Sequence, residues 1–243
     1  MQPLRKGFCF LVAVVALAGT AMMITSTATT HWVWSYVVRN SSTNPDDYGR
    51  NRSPDPNDRG GLYGSMYFGL FNGISYLNWG GGLRTDELSS FDYLSDTYNI
   101  GLWISVIVFC ILAIIMGAVT TVFATYNACV VPVNMVTGIF GLYLWTGSAA
   151  LLSGIAMVLF IVEYYISLID GILSDEHYDD RWRSQWVHFG YSFWLVVASF
   201  CVFIFNAIFV KLASLGHDED IHMPSIYYHE ESGKKDMGLD LMY

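Results

Sequence analysis

Four stretches of this chain, residues 7–24, 100–124, 135–162 and 189–210, contain no Asp, Glu, Lys, Arg or His. An α-helix rises about 1.5 Å per residue and the hydrocarbon core of a bilayer is about 30 Å thick, so about 20 apolar residues cross it. Each stretch meets that requirement. Strands do not fit, because only a closed barrel satisfies its backbone in lipid and barrel strands alternate apolar with polar residues. Composition agrees: 53% of the 243 residues are hydrophobic and 14% are charged, with a mean hydropathy of +0.40. The expected fold is an all-α membrane protein, a four-helix transmembrane bundle with a long, partly β first extracellular loop, and the lipid bilayer is its first partner.

The net charge of −9, from 12 basic and 21 acidic residues, has the wrong sign for a phosphate-backbone binder, so nucleic acid is not an expected partner. The four cysteines, Cys9, Cys110, Cys129 and Cys201, lie in or beside the apolar stretches and form no CxxC pair. They read as buried thiols, or as a lipidated Cys129, rather than as a disulfide framework or a zinc site.

Arg5 and Lys6 before the first stretch and Lys211 after the fourth favour cytosolic termini. The arginines of the long loop oppose a simple count of basic residues, but long loops translocate largely regardless of charge. Two N-x-S sequons, at Asn40 and Asn51, lie in that loop and are glycosylation acceptors only on the lumenal or outer side. The resulting order is a cytosolic N-terminus at 1–6, a span at 7–24, a first extracellular loop at 25–99, spans at 100–124 and 135–162 joined by a cytosolic turn at 125–134, a second extracellular loop at 163–188, a span at 189–210, and a cytosolic tail at 211–243. The first span exceeds the roughly 7–15 apolar residues of a signal core and reads as an uncleaved anchor.

Within the first loop, TTHWVWSYVV and LYGSMYFGLFNGISYLNWGGG are aromatic and punctuated by glycine, and are expected to pair as strands; the NSSTNPDDYGRNRSPDPNDRGG between them is rich in turn residues. Trp32 and Trp34 read as an aromatic belt at the membrane surface. The second loop opens with an amphipathic segment expected to prolong the third helix above the bilayer, and Glu163 reads as a marker of the interface. Small residues four apart in the third span, Ala149 with Ser153 and Ala150 with Gly154, permit close helix packing, within the bundle or in a lateral homo- or hetero-oligomer. Asn206 in the fourth span is expected to hydrogen-bond a neighbouring helix.

No Walker, GxSxG, HExxH or dinucleotide GxGxxG sequence is present. His217, His222 and His229 match no metal-ligand spacing, and the spans lack the ionisable groups of a proton-coupled carrier. Neither catalysis nor a cofactor is expected, which leaves recognition through surfaces. The chain closes on Asp240, Leu241, Met242 and Tyr243 after a polar tail. A free carboxylate with apolar side chains at the last and antepenultimate positions adds as a strand to a PDZ-type groove, so a PDZ-type adaptor is the expected cytosolic partner.

Seven short segments occur in an order that resembles a clarin, of the four-helix family related in outline to claudins: HW after the first span, YFGLFNG in the loop, TYNA after the second span, GLYLW in the third, SFW and FNAIFVKLA in and after the fourth, and the terminal DLMY. The claudin-type loop has GLW followed by paired cysteines, whereas Gly69-Leu70-Phe71 is followed by none here. The resemblance implies a non-enzymatic plasma-membrane organiser, linked to the actin cytoskeleton and to sensory-cell projections and synapses. A claudin-like adhesion or barrier protein and an auxiliary channel subunit are the alternatives, told apart by enrichment at cell contacts and by altered currents on co-expression.

Overall fold

A computed structural model describes residues 2–39, 62–93, 98–130, 138–169, 172–173 and 182–222. Its helices are α1 (Gln2–Ala28), the single turn α2 (Ser90–Tyr93), α3 (Ile100–Cys129), α4 (Ile139–Glu163) and α5 (Tyr191–His222). Four segments within the long helices are long and apolar enough to cross a membrane: Lys6–Ala28, Ile100–Cys129, Ile139–Leu168 and Tyr191–Ser214. Asn99 starts α3 by accepting the Gly101 and Leu102 backbone N–H groups on its Oδ1, at 3.1 and 3.4 Å, which satisfies donors that a helix start otherwise leaves open. Beyond Glu163, α4 runs on into a π-helical turn, Tyr164–Leu168, so the amphipathic start of the second loop does prolong the helix.

The spans are apolar on every side, yet their burial is patterned. On α1 the inward positions include Cys9, Ala13, Ala16, Thr20 and Met23; on α3, Cys110, Ala113, Gly117, Thr120 and Ala124; on α4, Thr146, Ala149, Ser153, Ala156 and Phe160; on α5, Val196, Ser199, Phe203, Asn206 and Val210. Alternating steps of three and four make the 3.5-residue repeat of a left-handed coiled seam. Most seam residues are small or weakly polar, while large side chains such as Phe10, Leu17, Ile111, Leu151 and Phe205 point outward. Lipid tails solvate a leucine as well as a protein core does, so close van der Waals contact between backbones, rather than hydrophobicity, selects the inner face. Contact is tightest at Gly117, where an added Cβ would strike Thr20 of α1 and the Phe203 ring of α5. Helix α1 packs against α3 and α5, and α4 packs against the same two.

An antiparallel sheet adjoins the bundle, with strands β1 (Val33–Arg39), β2 (Leu62–Phe68), β3 (Asn72–Asn78), β4 (Leu83–Ser89) and β5 (Trp182–Phe189) in the order β4-β3-β2-β1-β5. The first four come from the connection between α1 and α3; β1, β2 and β3 fall in the aromatic segments expected to pair, whereas the polar β4, LRTDELS, lies beyond them. Gly80 and Gly82 sit in the β3–β4 turn at φ +96° and +124°, a region in which a Cβ is costly. The fifth strand was not foreseen. It comes from between α4 and α5 and pairs with β1 from Val33↔Phe189 to Arg39↔Trp182, with a register shift between Tyr36 and Val37. That bulge breaks the period-two pattern of WRSQWVHF, which hides the strand from a reading by alternation. Phe189, taken above as the start of the fourth span, therefore ends a strand, and α5 begins at Tyr191.

Along β1 the side chains alternate, with Val33, Ser35 and Val37 buried and Trp34 and Tyr36 half-buried. The buried face, including Met66, Phe68, Leu77 and Val187, shares one core with Trp103, Phe160, Tyr164 and Phe193 from the helices.

Candidate functional site

Where the chain passes between helix and sheet, buried side chains with polar ends fasten one to the other. Trp32 is fully buried; its indole N–H donates to the Ser26 carbonyl at 2.8 Å and its ring meets Phe160 edge-on at 4.7 Å. Trp103 of α3 donates to the Leu70 carbonyl at 3.0 Å, and the Tyr164 hydroxyl donates to the Val187 carbonyl of β5 at 2.7 Å. Ser26 of α1 donates to the Ser192 carbonyl of α5 at 2.7 Å. The two tryptophans and Tyr164 each pair a large apolar body with a satisfied polar tip, as burial requires, while the Ser26 hydroxyl ties α1 to α5. Trp32 is thus corrected from a belt residue to an internal one: it lies at the foot of the strand that enters the core, while Trp34 takes the outward position.

Glu163 is also corrected. It is fully buried within the protein rather than open to water, and its Oε1 accepts the backbone N–H of Asn99, directly before the second span, at 2.7 Å. In a capping box a Glu on the third residue of a helix accepts that N–H; here a neighbouring helix supplies the carboxylate, against the positive end of the α3 dipole. The helix start stands in for the water that the carboxylate was expected to reach. Tyr98 beside it is held above the usual phenol range by burial, and next by the charges of Glu163 and Asp92.

The other positions singled out from sequence have distinct surroundings. Ala149 and Ser153 are fully buried on α4, and the Ser153 hydroxyl turns back to the Ala150 carbonyl at 2.9 Å. Ala150 packs on the core from a half-buried position, and an added Cβ at Gly154 would come within 3.0 Å of the Phe200 ring on α5. Asn206 is fully buried, but neither its Oδ1 nor its Nδ2 has a hydrogen-bond partner, so the expected interhelical hydrogen bond is not formed. Leaving buried polar groups unpaired costs about 1–3 kcal/mol. Asn206→Leu is accordingly expected to raise the melting temperature of the purified protein in detergent; a fall would mean that the amide has a stabilising partner. Asn40, Asn51, His229 and the terminal Asp240, Leu241, Met242 and Tyr243 lie outside the described residues, as do the side chains of His217 and His222. Among the described residues, no group of three or more His, Cys, Asp or Glu is placed to hold a metal ion.

A second arrangement was not assembled from sequence. The β1–β2 and β1–β5 registers put Trp34 opposite both Tyr67 and His188, on the outward face of the sheet. Trp34 lies 6.4 Å from Tyr67 and 5.1 Å from His188, ring to ring, and His31 lies 4.8 Å from both Tyr67 and Tyr191. The long-range registers that join Trp34 to Tyr67 and to His188 have no local signal.

A model of the Clarin-2-like family matches residues 4–210. The chain is 29% identical to Clarin-1 of Mus musculus over 151 residues, 62% of this chain and 65% of that protein. It is 31% identical to Clarin-3 of Mus musculus over 147 residues, 59% of this chain and 65% of that protein, and 26% identical to Clarin-2 of Homo sapiens over 164 residues, 63% of this chain and 66% of that protein. The matched stretch spans less than two thirds of each relative's length.

Proposed function

Because the chain belongs to the Clarin-2-like family and is a multi-pass membrane protein of the clarin type, we propose that it is a non-enzymatic organiser of the plasma membrane. In this reading both termini are cytosolic, the sheet stands outside the cell, and the tail recruits PDZ-type adaptors that connect to the actin cytoskeleton. The observation that carries it is the fastening of one sheet, drawn from both outer connections, onto the helices by Trp32, Trp103 and Tyr164. A platform held this way presents a fixed outer face. The even number of spans puts both ends of the chain on one membrane side. Asn40 follows directly on Arg39, the end of β1 remote from α1, where a glycan would stand clear of the bilayer.

Deleting Leu241 to Tyr243 is expected to cut recovery of PDZ-type adaptors by about tenfold or more, as loss of anchoring side chains does, with expression unchanged. Unaltered recovery and localisation would remove the tail mechanism. Orientation is tested separately: Asn40→Gln and Asn51→Gln are each expected to remove one glycosidase-sensitive mobility step. Staining of a C-terminal tag on intact cells would overturn the placement of the termini.

A further inference from the structure

At its base the outward face of the sheet carries a run of rings that the fastening of sheet to bundle does not use. His31 stacks on Tyr191, the first residue of α5, and leads to Tyr67 on β2; Tyr67 leads to Trp34 and, at 6.0 Å, to Tyr76 on β3; Trp34 leads to His188 on β5. Tyr191 is 52% exposed, His188 is exposed, and the other four are half-buried.

Height decides what these rings meet. Tyr191 opens one membrane-crossing segment, and His31 closely follows another that ends at Ala28, so both stand at the boundary of the hydrocarbon. The headgroup layer is about 5–7 Å deep on each side and a strand rises about 3.3 Å per residue. Trp34 and His188 lie one pair above Val33 and Phe189, which puts them in that layer or at its upper edge. Exposed Ile24 of α1 and Trp194 of α5 carry the same two helices on into the lipid, so the platform continues a lipid-facing surface.

Chemistry narrows the occupant further. None of the six residues is acidic, and burial lowers the His31 pKa below its ordinary value, so that ring adds no positive charge at neutral pH. Faces of Trp and Tyr attract a quaternary ammonium through the ring quadrupole, and a trimethylammonium is less strongly hydrated than a primary one. We propose that this platform binds the phosphocholine headgroup of an outer-leaflet lipid, with the trimethylammonium on Trp34 and Tyr67. His31 and His188, on either side, supply ring N–H groups for the phosphate. The proposal rests on the outer placement of the sheet, which glycosidase mapping tests independently.

The test uses the full chain purified in detergent and returned to vesicles holding equal parts of phosphatidylcholine, phosphatidylethanolamine and phosphatidylglycerol with identical acyl chains. The protein is extracted again, and the lipids retained on it are counted by mass spectrometry. Wild type is expected to enrich phosphatidylcholine about threefold over the other two, the scale of a partly exposed cation–π contact. Trp34→Leu and Tyr67→Leu should return the ratio to that of the vesicle, whereas Phe10→Leu, on the opposite end of α1, should not. Equal retention of the three lipids by wild type would reduce the platform to an unselective aromatic belt and overturn the proposal. So would full enrichment in both variants. If either variant fails to run as a monodisperse species, Tyr191→Leu, at an exposed position, decides in its place. Efficient cross-linking of two copies through Tyr191→Cys in phosphatidylcholine vesicles would assign the face to a second copy and would equally sink the lipid site.

Discussion

Replacing Gly190 with Ala is expected to destabilise the protein severely, although the change adds one methyl group. A Cβ at this position would run into the His31 backbone, its carbonyl oxygen first and its carbonyl carbon at 2.6 Å. Backbone atoms have no rotamer to change, so the chain itself must shift. The shift would fall where β5 becomes α5 within one residue: Gly190 N–H donates to the Trp32 carbonyl at 2.8 Å and Ser192 N–H to the His31 carbonyl at 3.1 Å. Overpacking costs about 1–3 kcal/mol, and each buried hydrogen bond lost adds about 1 kcal/mol or more. Together they take a large part of a total stability that is typically about 5–15 kcal/mol. Size-exclusion chromatography and thermal unfolding in detergent measure the outcome; a monodisperse Gly190→Ala protein melting with wild type would show that the crossing has room to spare.

Trp32→Ala and Trp34→Ala should separate just as sharply, although Trp32 directly precedes β1 and Trp34 is its second residue. Trp32 is fully buried, packs on Phe160 and holds the Ser26 carbonyl. Its truncation leaves a cavity and an unpaired carbonyl, and aromatic-to-alanine changes in cores cost about 3–5 kcal/mol. Trp34 is half-buried on the outward face, where removal costs area without opening the core. The expected result is a large fall in melting temperature for Trp32→Ala and a small one for Trp34→Ala. Equal falls would mean that the buried bend before β1 and the outward face of the sheet are not distinguished as described. Trp32→Phe, which keeps most of the ring and loses the N–H, should lie between them and so report the hydrogen bond.

Much of the architecture was legible in one dimension. The aromatic segments of the long connection announced β1, β2 and β3. The candidate site was much less legible. Trp32 and Trp34 look alike in composition and alternation would put them on one face; they part because Trp32 precedes β1, in the bend that leads from α1, and Trp34 lies within the strand. Glu163 looked like a boundary residue because a carboxylate at the end of an apolar run ordinarily finds water. It found the start of another helix instead, and nothing local encodes the approach of Asn99. Asn206 was expected to find a partner, yet neither end of its buried amide has one.

By itself the sequence determined how many helices cross the membrane and roughly where, since an uninterrupted apolar run of sufficient length is a property of consecutive residues and of lipid thickness alone. Only the tertiary structure decided which face of each helix turns inward, that β5 closes the sheet against β1, and that Glu163 caps α3. The physical reason is shared. Lipid and protein interior are both apolar, so hydropathy cannot choose between them. Steric fit, strand register and the satisfaction of buried polar groups make the choice, and each depends on residues far apart in the chain.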